Sequence, residues 1–189
     1  MGTVKYSNVT TDSLPLKWNK SKGADGYQIY RYDVTKKKYV LKKTVKSGST
    51  LSAEITGLYY GSRYTFKVVP YAEVEENGTV VKYKGEATYC YTATKPNKSK
   101  ITSITAGDNS IKVKWASRKC DGYEILYATN SSFDNAKKIT INSSSTTVRT
   151  IKNLKSEEKY YVKVRAFKKT KDGKIVYGAY SPWRSKETK

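Results

Sequence analysis

Leu14-Pro15-Leu16-Lys17-Trp18 returns as Ile111-Lys112-Val113-Lys114-Trp115, and Asp25-Gly26-Tyr27-Gln28-Ile29 returns as Asp121-Gly122-Tyr123-Glu124-Ile125. Ile55-Thr56-Gly57-Leu58 with Tyr64 returns as Ile151-Lys152-Asn153-Leu154 with Tyr160. Three separate words thus recur in the same order at an offset of 96 to 97 residues. A unit of that length buries enough surface to fold alone, so the repeat divides the chain into copies at residues 1–94 and 95–189.

Within each copy the apolar residues alternate. Leu14, Leu16 and Trp18 point one way, as do Tyr27 with Ile29 and Tyr64, Phe66 with Val68, while Lys and Thr fill the positions between. Period two bounded by Gly, Asn, Asp and Ser clusters is the pattern of half-buried antiparallel strands. Seven such strands are expected in the first copy, near residues 4–9, 13–19, 26–33, 38–46, 50–56, 62–74 and 79–93, with a second set about 95 residues on. Asn77-Gly78 and Asp172-Gly173 are expected to supply the paired positive φ angles of tight hairpin turns. The fold class that follows is all-β, two tandem seven-stranded sandwiches.

These residues resemble the fibronectin type III family, an immunoglobulin-like fold. Trp18 and Trp115 match its core tryptophan on the second strand, and Leu58 with Tyr64, like Leu154 with Tyr160, matches its tyrosine corner. There the resemblance implies a phenol hydroxyl bonded back to the backbone of the loop it crosses. The wording around Ala24-Asp25-Gly26-Tyr27-Gln28-Ile29-Tyr30-Arg31 and Tyr177-Gly178-Ala179-Tyr180-Ser181 is similar to versions from secreted or surface proteins of low-GC Gram-positive bacteria, and 31 Lys against 6 Arg fits an AT-rich genome. A secreted or cell-surface location is what this resemblance implies. The start, Met1-Gly2-Thr3-Val4, carries no basic-then-apolar signal segment and reads as an excised fragment, so a leader is expected outside it.

The net charge of +21 divides unevenly, +7 over residues 1–94 and +14 over residues 95–189. Clustered lysines gain affinity for polyanions by releasing counterions. Two local runs are candidates for such contacts: Lys36, Lys37 and Lys38 in the first copy, and Lys168, Lys169, Lys171 and Lys174 at the last hairpin of the second. The matching hairpin of the first copy is acidic, with Glu73, Glu75 and Glu76. Lysines alternating with core residues, as at Lys112, Lys114 and Lys163, are also what the wet face of any sandwich carries. Exposed tyrosines, among them Tyr30, Tyr32, Tyr59 and Tyr60, are candidates for a sugar-stacking platform.

Enzymatic chemistry finds few parts here. The chain has no histidine, which removes Ser-His-Asp and Cys-His catalysis and every His-containing zinc site. Cys90 and Cys120 fall one per copy at unmatched positions, too few for a zinc cage and not expected to bridge; Cys120 aligns with Ala24, a small buried position. No phosphate loop, dinucleotide fingerprint or calcium loop occurs, and no run is long enough to span a membrane. Tyr180-Ser181-Pro182-Trp183-Arg184 is distantly similar to the Trp-Ser-x-Trp-Ser element of cytokine receptors, and Trp183 is read as an edge-packing aromatic.

The expected function is therefore non-catalytic and without a cofactor: a semi-rigid spacer or interaction scaffold within a larger secreted or cell-surface bacterial protein. The linker Ala93-Thr94-Lys95-Pro96-Asn97 is short, and proline restricts both itself and the residue before it. The alternative is a polyanion- or glycan-binding adhesion module using the basic surface of the second copy. Expected partners are other domains of the parent protein and an anionic or neutral polysaccharide; nucleic acid is not expected, and the chain is expected to be monomeric.

Overall fold

A computed structural model describes residues 4–189, so the start at Met1-Gly2-Thr3 lies outside the described residues. The chain forms two compact units, built chiefly on the residues up to Thr94 and on those from Lys95 onward. Among the described residues every regular element is a strand.

The first unit contains β1 (Lys5–Tyr6), β2 (Leu14–Lys17), β3 (Gly26–Asp33), β4 (Lys38–Val45), β5 (Ser52–Ile55), β6 (Arg63–Glu76), β7 (Thr79–Lys84) and β8 (Thr88–Ala93). They make a three-stranded sheet, β1-β2-β5, and a five-stranded sheet, β4-β3-β6 with β7 and β8 both paired to β6. The second unit repeats this with β9 (Ile101–Gly107), β10 (Ser110–Trp115), β11 (Gly122–Ala128), β12 (Lys137–Ile141), β13 (Val148–Ile151), β14 (Lys159–Lys169), β15 (Ile175–Tyr177) and β16 (Arg184–Glu187). Its sheets are β13-β10-β9 and β12-β11-β14, with β15 and β16 both on β14. Each unit is an antiparallel two-sheet sandwich.

The single last strand expected over residues 79–93 is two segments. β7 pairs Tyr71–Glu76 of β6 and β8 pairs Arg63–Val68, with the register slipping by one residue between them. In the second unit the break is wider, and Pro182 lies inside it, where its missing N–H cannot join a ladder. The hairpin turns also differ from one another. Asn77 and Gly78 both have positive φ, as a two-residue turn requires, whereas in the second hairpin only Gly173 does. The expectation of a positive pair at Asp172-Gly173 is thus corrected: Thr170 and Lys174 close a three-residue loop, in which glycine alone takes positive φ.

Alternation places the cores. Leu14, Leu16, Tyr27, Ile29, Phe66 and Val68 are buried in the first unit, with Trp18 4% exposed against Tyr27. In the second unit Ile111, Val113, Tyr123, Ile125, Val162 and Val164 are buried around Trp115, 3% exposed, and Cys120. Both cysteines are free and buried, and burial pushes the Cys90 thiol up to about 11, leaving it protonated at neutral pH.

The repeated Asp-Gly-Tyr word has a physical reason at each letter. The Asp25 carboxylate accepts the Glu73 backbone N–H at 2.8 Å, and the Asp121 carboxylate accepts that of Lys169 at 2.8 Å. A Cβ on Gly26 would overlap the Tyr71 ring, and one on Gly122 the Phe167 ring, so glycine makes the space those rings occupy. Tyr27 and Tyr123 bury their rings, while their hydroxyls accept the N–H of Ser21 at 3.0 Å and of Arg118 at 2.9 Å. One word thus ties a loop, a close packing point and the core together in each sandwich. At the corners, the Tyr64 hydroxyl accepts the Tyr59 N–H at 2.7 Å and the Tyr160 hydroxyl that of Lys155 at 3.1 Å.

Candidate functional site

Residues facing each other across an antiparallel pair share a face, so register alone defines the outward surface of each five-stranded sheet. In the first unit, Leu41, Tyr30, Lys67 and Tyr89 form one row across β4, β3, β6 and β8. Tyr32 pairs with Tyr39, and Thr65 with Tyr91, in the next row. The Tyr39 ring lies edge-on to both Tyr32, at 5.2 Å between centroids, and Tyr89, at 6.0 Å. The Lys67 ammonium sits 4.7 Å from the Tyr39 centroid and 5.2 Å from that of Tyr30. On the far side of Tyr30, its hydroxyl accepts from Lys84 at 3.0 Å and donates to Gln28 at 2.6 Å.

This tyrosine surface is open. Tyr89 is 49% and Tyr32 37% exposed, with Leu41 beside them. Tyr39 is half-buried; desolvation, followed by the neighbouring phenols of Tyr89, Tyr91 and Tyr32, raises its hydroxyl above the ordinary range.

The same face of the second unit is built differently. Glu124 stands where the first unit has Gln28, and although 2% exposed it is an ion-pair partner, 2.7 Å from the Arg165 guanidinium. Tyr180 donates its hydroxyl to the same carboxylate oxygen. Desolvation pushes the Glu124 carboxyl upward, but the bonds from Tyr180 and Arg165 outweigh it and hold the group below its ordinary value. Burial, then the bond to Glu124, keeps the Tyr180 hydroxyl well above the usual phenol range. Arg165 lies 3.6 Å from the Tyr177 centroid and 4.5 Å from that of Tyr180, and Lys163 lies between Tyr180 and Phe133. Cations and rings therefore stack on one another and close this face. Trp183, 49% exposed, packs edge-on against Tyr161 at 5.1 Å at the margin of the stack.

The lysines singled out from sequence are not equivalent in space. Lys168 forms an ion pair with Asp121 at 2.8 Å and Lys174 with Asp172 at 2.9 Å, while Lys169 donates to Asn142 at 3.1 Å. Lys171 is exposed in the same loop. Lys36, Lys37 and Lys38 are all exposed on the β3–β4 turn, whose bend is fixed by the Asp33 carboxylate accepting the Lys36 N–H and by positive φ at Lys37. That turn closes the Tyr32–Tyr39 pair, so these three lysines border the tyrosine face. Of the tyrosines named from sequence, Tyr30 and Tyr32 lie on this face, whereas Tyr59 is exposed in the corner loop after β5. Tyr39 and Tyr89 were missed; the signal that could have found them is the register of β4 and β8 against β3 and β6.

Among the described residues, no group of three or more His, Cys, Asp or Glu is placed to hold a metal ion. Among the same residues, no helix is long and apolar enough to cross a membrane.

The family model for the fibronectin type III domain matches residues 2–82 and 94–176. The chain belongs to the fibronectin type III family. A Kelch domain-containing protein of Sulfurisphaera tokodaii is 41% identical over 69 residues, 36% of this chain, and the chain spans 9% of that protein's length. Among solved structures, a two-domain fibronectin type III segment of chicken tenascin is 20% identical with a TM-score of 0.48, over 97% of this chain and 95% of that one. The three-domain segment FN1-FN3 of chicken CNTN1 is 16% identical with a TM-score of 0.42, over 99% of this chain and 65% of that one. The tyrosine face and the cation-ring stack are thus two versions of one sheet surface in two fibronectin type III domains.

Proposed function

We propose that this pair of fibronectin type III domains is a non-catalytic, semi-rigid spacer or interaction scaffold within a larger secreted or cell-surface bacterial protein. The observation that carries this reading is how little free chain separates the two domains. Thr94 is buried and donates its hydroxyl to the Tyr59 carbonyl at 2.6 Å, within the first domain. Pro96 is buried, its carbonyl beside Gly178, and the Ser99 N–H donates to the Ala179 carbonyl at 3.4 Å, within the second. Lys95 alone stands between those anchors, and proline follows it. A connection anchored on both sides restricts bending more than its sequence length implies. Small-angle scattering is expected to fit a narrow set of interdomain geometries, and a flexible Gly-Ser insertion after Thr94 to broaden it. A native chain already as broadly distributed as the insertion variant overturns the spacer reading.

A second reading, polyanion binding by the second domain, is supported by a cleft of about 730 Å³ lined by Lys112, Arg149 and Lys152 together with Tyr127 and Ile139. No acidic side chain lines it. This reading predicts retention on heparin at near-physiological salt that Lys112→Ala, Arg149→Ala and Lys152→Ala together abolish. Unchanged elution of the triple variant defeats it.

A further inference from the structure

We infer that the outward face of the first domain's five-stranded sheet binds an acidic polysaccharide, its sugar rings lying on Tyr32, Tyr39 and Tyr89 and its carboxylates meeting Lys67 and the lysine turn. The inference goes beyond the spacer reading and does not depend on it.

Three features of the face point to such a ligand. The first is shape. The rows from β4 to β8 cross three inter-strand steps, about 14 Å, which suits an extended chain better than a small molecule. The second is chemistry. Tyrosine offers an apolar ring for the C–H faces of a pyranose and a hydroxyl for its oxygens. The hydroxyls of Tyr32, Tyr39 and Tyr89 have no hydrogen-bond partner among the described residues, so they are available to a polar ligand.

Charge is the third. Lys67 lies at the centre of the tyrosines with no carboxylate partner among the described residues, its positive charge held over the rings of Tyr30 and Tyr39. Lys84 flanks Tyr30, and Lys36, Lys37 and Lys38 border the Tyr32–Tyr39 end. An uncompensated cation at the centre and lysines at the rim select a ligand carrying both rings and negative charge. The second domain shows the contrast: there Lys163, which stands where the first domain has Lys67, lies between the Phe133 and Tyr180 rings, Arg165 is paired with Glu124 and stacked on Tyr177, and the face is occupied by its own side chains.

The test titrates the whole chain, followed by NMR, with hyaluronan and oligogalacturonate fragments, with cellohexaose as rings without charge, and with polyphosphate as charge without rings. At least one uronate oligosaccharide is expected to bind more tightly than either control, with shifts confined to β3, β4, β6 and β8. Tyr39→Leu and Tyr89→Leu are each expected to weaken it about tenfold, which is the scale of one lost aromatic contact, while Tyr39→Phe and Tyr89→Phe retain most of the affinity. Lys67→Met is expected to weaken the uronate ligand and leave cellohexaose unchanged. Melting curves of each variant establish that it is folded. No binding by either uronate fragment, equal binding by polyphosphate or cellohexaose, or indifference to the leucine variants overturns the inference. So does self-association abolished by Tyr89→Leu, which assigns the face to a second copy of this chain.

Discussion

Trp115→Ala is expected to destabilise the second fibronectin type III domain severely while the amide signals of the first stay in place. The indole is buried at the centre of a cluster that includes Ile101, Val113, Tyr123, Leu154 and Tyr160, and its ring is 5.4 Å from that of Tyr123. Truncating a buried Trp removes its transfer energy and leaves a cavity, together about 3–5 kcal/mol. A domain of this size is stable by only about 5–15 kcal/mol, so the loss amounts to between roughly a fifth and the whole of that margin. The readout is amide exchange and dispersion of residues 122–128 against residues 26–33, the matching strand of the first domain. Equal loss in both strands would show that the two cores are not energetically separate, and no loss in either would remove Trp115 from the centre of the core.

The second large effect is expected at Glu124. Glu124→Leu leaves the Arg165 guanidinium, 25% exposed, without its carboxylate and the Tyr180 hydroxyl without its acceptor. Breaking one side of a buried pair costs about 3–5 kcal/mol, and the partial exposure of Arg165 places this case toward the lower end. Removing both charges in Glu124→Leu with Arg165→Leu is expected to recover most of that loss, since neither partner is then stranded. Additive losses in the double variant, measured by denaturant unfolding, would mean the pair contributes nothing as a pair.

The same pair sets a pH dependence. The folded-state pKa of Glu124 lies below the ordinary 4.5. Its contribution is therefore fully present above the unfolded value and is lost as pH falls through the folded one. The groups facing it are Arg165, Tyr177 and Tyr180, and none of these changes charge in that acid range. Gln28 occupies the matching position in the first domain and does not titrate. Acidification below about 4.5 is thus expected to destabilise the second domain more than the first, with Glu124→Gln flattening the difference. Parallel acid limbs in the wild-type domains would contradict this. Asp33 and Asp172 are also held low, by the Lys36 N–H and by the Thr170 hydroxyl with Lys174, one at the β3–β4 turn and one at the β14–β15 turn.

The amino-acid order by itself determined the tandem sandwich. The alternation of Leu14-Leu16-Trp18 and Ile111-Val113-Trp115 is a local property of strands, and the repeat offset needs no contact to be read. Segmentation of the last strand was less legible, because a one-residue slip opposite Pro70 depends on how β7 and β8 share β6. What only the tertiary structure decided is the character of each sheet face. Tyr30, Lys67 and Tyr89 are far apart in sequence and become neighbours through register, and Glu124 looks like one more outward polar residue until Arg165 and Tyr180 close over it. The physical reason is that strand formation follows from nearest-neighbour alternation, whereas a side chain's charge environment depends on residues tens of positions away. The same repeat thus yields an open tyrosine surface in one copy and a self-filled ionic one in the other.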